Sequence, residues 1–369
     1  MPLNIETHDK RLQVLSRIKS LNSKKLYIWG EGTYSLVIID YLRTVGCYSG
    51  QIDSIVDDDY YDSEQSNSVS FSQFLNMAAE KSPIIFGFYN YKIIQQKKAK
   101  WSGRFPYLYD FHLTVVNGQR LLWDPFLAKE REEAYRRTYL LLSDEKSKKV
   151  MQLYLNAATG GEFHELFTAY YEEPSYFNSI TNKLKIDTLI DCGAYDGDSV
   201  HDFIGVFPDY SKIIAIEPDP KNYDKLLSRK KKEKIRNLSI IQKGVGSNDG
   251  YISFQVNGKS NSYLSDKGNT VIQLMKLDDI ISDTIGNILI KMDIEGSEMG
   301  ALLGAQNIIL KKHPVLAICV YHKEEDLIQI PQFISELVGK EVYQYYLGFH
   351  GLDLSELVFY AIPNSALKD

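Results

Sequence analysis

The chain has 369 residues, 44% of them apolar and 24% charged. That balance is ordinary for a folded globular protein, and the length suffices for two domains. A net charge of −6 gives no reason to expect nucleic acid or an anionic membrane surface as a partner. Three cysteines, Cys47, Cys192 and Cys319, are too far apart for a disulfide framework or a zinc site. Cys192 and Cys319 lie in apolar runs and read as buried thiols. No window is long and apolar enough to span a membrane, and the first residues lack a signal-peptide core. A reducing cytoplasm is the expected compartment, and a homo-oligomer is left open.

In chain order, Leu12, Leu15, Ile18 and Leu21 fall at helical spacing. Lys25 to Trp29 predicts a short strand, followed by Gly30-Glu31-Gly32-Thr33-Tyr34-Ser35 and a helix carrying Leu36, Val37, Ile39 and Leu42. A strand over 52–56 then ends in Asp57-Asp58-Asp59. This βαβ pattern has the first two glycines of a dinucleotide-binding turn, with Ser35 where the third would stand. Helical signals over 71–79 and 91–100 alternate with extended ones over 83–88 and 105–109, which predicts a small parallel sheet. Residues 1–124 resemble the Rossmann-like α/β domains found beside sugar-nucleotide-modifying enzymes. Residues 125–172 carry no strand signal. Val150, Leu153, Tyr154, Phe163, Leu166 and Phe167 suit two or three connector helices, with a break at Thr159-Gly160-Gly161.

The stretch Ile186 to Ser199, I-D-T-L-I-D-C-G-A-Y-D-G-D-S, organises the remaining residues, 173–369. An apolar run ends in Asp191, Gly193 and Gly197 follow, and a helical pattern starts at Ser199. Glycines allow close backbone approach, and the helix start offers free N–H groups. The loop is acidic (Asp191, Asp196, Asp198), which suits a ligand bearing an ammonium, a sulfonium and ribose hydroxyls, such as S-adenosylmethionine. A second apolar run, 213–216, ends in Glu217-Pro218-Asp219. An acidic residue at that tip is placed to accept both ribose hydroxyls. Further strands are predicted at 238–242, 287–293, 315–321, 342–347 and 356–362, with a hairpin-like pair near 251–255 and 271–276. Arg229 to Lys232 reads as a solvated helix end.

The motifs D-C-G-A-Y-D-G-D-S (191–199), I-E-P-D-P (216–220), G-V-G-S-N-D-G (244–250), L-D-D-I (277–280) and K-M-D-I-E-G-S-E (291–298) occur in this order. The segment from about Tyr176 to Pro363 thereby resembles the FkbM-type methyltransferases. The resemblance implies a class I methyltransferase-like doubly wound α/β sheet closed by an antiparallel C-terminal hairpin. It implies S-adenosylmethionine as cofactor and O-methylation of a sugar or sugar-nucleotide hydroxyl, in surface-glycan or natural-product biosynthesis. It assigns Asp191, Gly193, Ala194, Tyr195, Asp196, Gly197, Ser199, Glu217, Pro218, Gly244 and Val245 to cofactor binding.

For catalysis, strand alternation puts Lys291 and Asp293 on one face, so Asp293 stands at the crevice mouth as candidate base or acceptor ligand. His322, after an apolar run, is a second candidate base that would titrate near neutrality. The family often carries an acidic residue before this histidine, whereas Val320-Tyr321 stands here. Glu298 reads as a helix-dipole partner. Asp191, Asp293 and Glu295 could instead hold Mg²⁺, although no dedicated metal motif is present. The polar loop 257–266 is placed to cover an acceptor. Two other readings remain on the sequence: a catalytically silent binding protein, and an NAD-dependent sugar-nucleotide enzyme centred on Gly30 and Gly32.

Overall fold

Alternating strand and helix signals in the first hundred residues produce one parallel sheet. The computed structural model describes residues 3–5, 9–21, 25–46, 48–62, 68–77, 81–116, 119–121, 129–256, 263–264, 268–339 and 341–367. The strands β1 (Lys25–Trp29), β2 (Gln51–Val56), β3 (Val69–Ser70), β4 (Ile84–Phe86) and β5 (Leu108–Tyr109) lie in the order β3-β2-β1-β4-β5. All four pairings are parallel. The central strands β1 and β4 are short apolar runs because the centre of a parallel sheet is buried on both faces. Strand order reverses between β1 and β4, and the chain leaves their carboxyl ends at Gly30 and Gly87. A small antiparallel pair, β6 (Thr114–Val116) and β7 (Gln119–Leu121), follows.

The connector is helical, as the spacing predicts: Glu132–Leu141, Glu145–Gly160 and His164–Tyr170. Gly161, at φ +79°, ends the second helix in the left-handed region, which glycine adopts without a Cβ clash.

The second sheet contains β8 (Thr188–Cys192), β9 (Lys212–Ile216) and β10 (Leu238–Ile241). A four-stranded sheet branches off, made of β11 (Gly244–Val245), β12 (Gly250–Gln255), β13 (Tyr263–Leu264) and β14 (Thr270–Met275). The hairpin-like pair read over 251–255 and 271–276 is the antiparallel β12–β14 contact within it. The chain then returns through β15 (Ile288–Met292), β16 (Val315–Cys319), β17 (Tyr343–Phe349) and β18 (Leu357–Pro363). The large sheet has the order β10-β9-β8-β15-β16-β18-β17. Its first five strands are parallel, and β18 is antiparallel to both neighbours. The short link from β17 to β18 has no room for the crossover that parallel pairing requires. The doubly wound sheet with an antiparallel closing hairpin is therefore present.

β17 is an edge strand, and the connector covers it. The Ser143 N–H donates to the Tyr345 carbonyl at 2.8 Å, and the Leu347 N–H donates to Ser147 Oγ at 3.0 Å. Covering an edge removes a row of unpaired backbone groups. One apolar cluster runs from Trp29 and Phe86 through Tyr154 and Phe163 to Phe349 and Ile318. The Tyr91 N–H donates to the Leu352 carbonyl at 3.0 Å, tying the first sheet to the β17–β18 loop. The two sheets thus share a core, which fixes how their carboxyl ends face one another. Cys192 and Cys319 are buried thiols, as expected; Cys47 lies outside the described residues. Most of the 257–266 loop does too, so its expected place over the acceptor is not among the described features. No described helix is long and apolar enough to cross a membrane.

Candidate active site

The site begins where β8 meets β15. Their register sets Asp191 directly beside Lys291. Lys291 Nζ lies 3.1 Å from Asp191 Oδ1 and donates to the Gly193 carbonyl at 2.7 Å. Ser199 Oγ donates to Asp191 Oδ2 at 2.5 Å. Burial works against a charged Lys291, but Asp191 first, then Asp293 and Asp198, keep it protonated. Asp191 is 0% exposed and is not among the residues that line the cavity. A carboxylate inside a strand end is enclosed by the loop that follows it, so it ties loop, helix start and neighbouring strand together. Gly193 has φ +76°, and a Cβ there would sit 1.9 Å from the Asp293 carbonyl oxygen. Only a glycine lets the β8 and β15 loops touch.

Of the other expected cofactor residues, Gly193, Tyr195, Ser199, Glu217, Pro218, Gly244 and Val245 line one cavity of about 930 Å³. Ala194, Asp196 and Gly197 do not. Ala194 is fully buried, Asp196 is paired with Arg229 at 3.0 Å, and Gly197 opens the helix Asp198–Val206 in the left-handed region. Glu217 follows β9. One carboxylate oxygen accepts from the Tyr195 N–H and the other from the Asp219 N–H, both at 2.9 Å. Burial pushes its carboxyl up to about 7 despite these two donors.

The second cluster comes from three chain-distant segments. Asp293 follows β15, and its Oδ2 accepts from the Tyr176 hydroxyl at 2.9 Å. His322 follows β16, with Nε2 at 3.4 Å from Asp293 and 3.6 Å from Glu295, and Nδ1 at 3.0 Å from Glu298. These are ion-pair distances; neither ring nitrogen meets hydrogen-bond geometry with a described residue. Glu298 is fully buried and accepts from the Ile294 N–H at 2.9 Å. Burial alone would depress the imidazole, yet Glu298 above all, then Asp293 and Glu295, push it to about 10. His322 is therefore an imidazolium at neutral pH and has no free lone pair there. That corrects its expected titration near neutrality. Three carboxylates converging on one ring are not visible along the chain.

Asp293 and Glu295 diverge. Burial would raise Asp293, but Lys291 and then His322, with the Tyr176 hydroxyl, bring it below its ordinary value. For Glu295 burial wins over His322, and its carboxyl rises to about 7. Glu295 has φ +55° and Gly296 φ +90°. A left-handed non-glycine residue costs of order 1–3 kcal/mol and persists where its surroundings hold it. Sequence reading underrated Glu295, Glu298, Tyr176 and Lys291, although three of them stand in the K-M-D-I-E-G-S-E motif.

The set proposed for Mg²⁺ does not assemble, since Asp191 is enclosed by Lys291 and Ser199. Asp293, Glu298 and His322 have ligand atoms within 4.8 Å of one another.

Residues 191–345 match the family described as Methyltransferase FkbM domain. The crystal structure of Methyltransferase FkbM from Methylobacillus flagellatus KT is similar over 97% of this chain and 94% of that one, with a TM-score of 0.70 and 21% identity. The likeness in fold therefore extends through the first sheet and the connector. An rRNA methylase from Streptococcus thermophilus covers 49% of this chain and 90% of its own, at 14% identity and a TM-score of 0.31. A SAM-dependent methyltransferase from Aquifex aeolicus covers 49% and 84%, at 14% identity and a TM-score of 0.29. No curated protein matches the chain. The resemblance read from the motifs holds.

Proposed function

We propose that this chain, whose residues 191–345 carry an FkbM methyltransferase domain, methylates a hydroxyl of a small sugar-class acceptor with S-adenosylmethionine. One observation carries the reading: Glu217 and the Asp293–Glu295–His322 cluster line one cavity. One part suits the donor's ribose, and the other suits a hydroxyl that must lose its proton.

The residues present fit the cofactor. Glu217 has both oxygens on backbone donors and still faces the cavity, so ribose hydroxyls complete its shell. Gly193, Tyr195, Gly244 and Val245 form the surrounding wall, and the Asp198 carboxyl adds negative charge beside it. S-adenosylmethionine supplies an electrophilic methyl carbon when bound. The chain does the rest. Asp293, fixed by Tyr176 and by the charge of His322, accepts a hydrogen bond from the acceptor hydroxyl and orients it. Glu295, brought to about 7 by burial, takes the proton at neutral pH. His322 stays protonated and keeps both carboxylates beside each other. We read 173–369 as the methyltransferase domain, 125–172 as its connector and 1–124 as a further α/β domain.

The test is calorimetric titration with S-adenosylhomocysteine. The protein should bind it, and Glu217→Ala should weaken binding by about 1–3 kcal/mol through lost charge-assisted hydrogen bonds. A folded Glu217→Ala variant with wild-type affinity would take Glu217 out of the site and the reading with it.

A further inference from the structure

The cavity has a second wall, built by the first sheet together with the β17–β18 loop. Gly30 to Tyr34 and Gly87 to Tyr89, just past the carboxyl ends of β1 and β4, line the same space as Asp293 and Glu295. Open α/β sheets bind their ligands at this kind of reversal in strand order.

A dinucleotide does not fit this one. Ser35, at the third-glycine position, is 1% exposed and donates from Oγ to the Gly87 carbonyl at 2.6 Å, closing the two loops on each other. The acid at the tip of β2 is already engaged. Lys97 Nζ donates to both Asp57 oxygens at 2.7 and 2.8 Å, and Trp29 Nε1 donates at 2.9 Å. Gly32 remains open, since a Cβ there would meet nothing within 4 Å.

Apart from His322, the charged side chains of this wall are acidic. Glu31, Glu173, Asp353 and Glu356 line it, whereas the lysines lining the cavity are Lys243, beside Gly244, and Lys291, held by Asp191. Lys92 already offsets Glu173 at 3.4 Å, and the charge of His322 sits beside Asp293, so a phosphate beside Glu31, Asp353 and Glu356 would meet carboxylates with no lysine or arginine lining that part of the cavity. A ligand ammonium would meet the reverse, and hydroxyls can donate to the same oxygens. Burial raises the carboxyls of Asp353 and Glu356, the latter to about 7, and a cationic neighbour would restore their charged forms. His322 lines the same space, but its charge is held by Asp293, Glu295 and Glu298 at 3.0 to 3.6 Å. Phe88 and Tyr89 add aromatic faces that can pack against a sugar ring.

Resting on the methyltransferase reading, we infer that this wall is the acceptor site and that it takes an amine-bearing polyol, not a phosphorylated or nucleotide-linked sugar. The first sheet and the β17–β18 loop then select the acceptor together, and the loops after β8 and β9 hold the methyl donor.

The experiment uses the full chain saturated with S-adenosylhomocysteine. Saturation-transfer NMR measures the binding of glucosamine, glucose and UDP-glucose. Glucosamine should bind about 10-fold tighter than glucose, by one charge-assisted contact, and UDP-glucose should not compete. The double variant Asp353→Asn with Glu356→Gln should erase the preference for the amine. Gly32→Trp, which fills open space at an ordinary φ, should abolish glucosamine binding and leave S-adenosylhomocysteine affinity unchanged. The inference is overturned if glucosamine does not bind, if UDP-glucose binds as well as glucosamine, or if Gly32→Trp leaves glucosamine affinity intact. Failure of S-adenosylhomocysteine to bind the wild type would instead sink the methyltransferase reading.

Discussion

Replacing His322 by glutamine tests the electrostatic logic of the site. The imidazolium lies 3.6 Å from the Glu295 carboxylate. At that distance, Coulomb's law with an effective dielectric of about 20 gives about 4–5 kcal/mol, or roughly three pKa units. Glu295 is 16% exposed, so water screens part of this. An upward shift of about one unit is expected when the charge is removed, from about 7 toward about 8. The direct assay is carbon-13 NMR of protein labelled at glutamate carboxyls, titrated in wild type and in His322→Gln. Methyl transfer to a bound acceptor should follow: its acid limb moves up by the same amount, and the lost rate returns at higher pH. The variant loses a buried ion-pair partner, a change that costs about 3–5 kcal/mol, so it is measured well below its melting temperature. A Glu295 titration that stays put or moves down would refute the assignment of His322 as a structural cation.

Glu295→Gln should lower turnover by about 10²–10⁴-fold with cofactor affinity unchanged, and it should remove the acid limb near neutrality; near-wild-type turnover would pass the role of base to Asp293. Ligand-free stability should fall as pH rises. Glu217, Glu295, Asp326 and Glu356 all have carboxyls raised by burial to about 7. Their contribution is complete below their ordinary values near 4 and is lost as pH passes 7. His322, raised to about 10 by Glu298 and its neighbours against burial, adds stability below its ordinary value that is lost as pH rises through 10. Melting temperatures that climb between mildly acid and mildly alkaline pH would contradict this. Gly193→Ala should cost at least about 2–3 kcal/mol, because the Cβ strikes the Asp293 carbonyl at a left-handed φ; a chemical-denaturation midpoint close to wild type would show that the β8 and β15 loops can part.

Local pattern determined much of this protein. The apolar runs ending at Asp191 and Glu217 and the helical spacing of the connector are encoded within single segments. So Glu217 at the cavity edge and the helical break at Gly161 were legible residue by residue, whereas the antiparallel closing hairpin was implied by the family resemblance. Tertiary structure decided what those groups do. Strand register paired Asp191 with Lys291. The packing of the loops after β15 and β16 set three carboxylates around His322 and turned a candidate base into a cation. A shared core carried the Gly30–Gly32 turn to the same cavity as Asp293, hundreds of residues away in the chain. The physical reason is that periodicity records which face of one element is buried. Protonation, by contrast, depends on burial and on charges a few ångströms away, and those belong to segments that meet only in the fold.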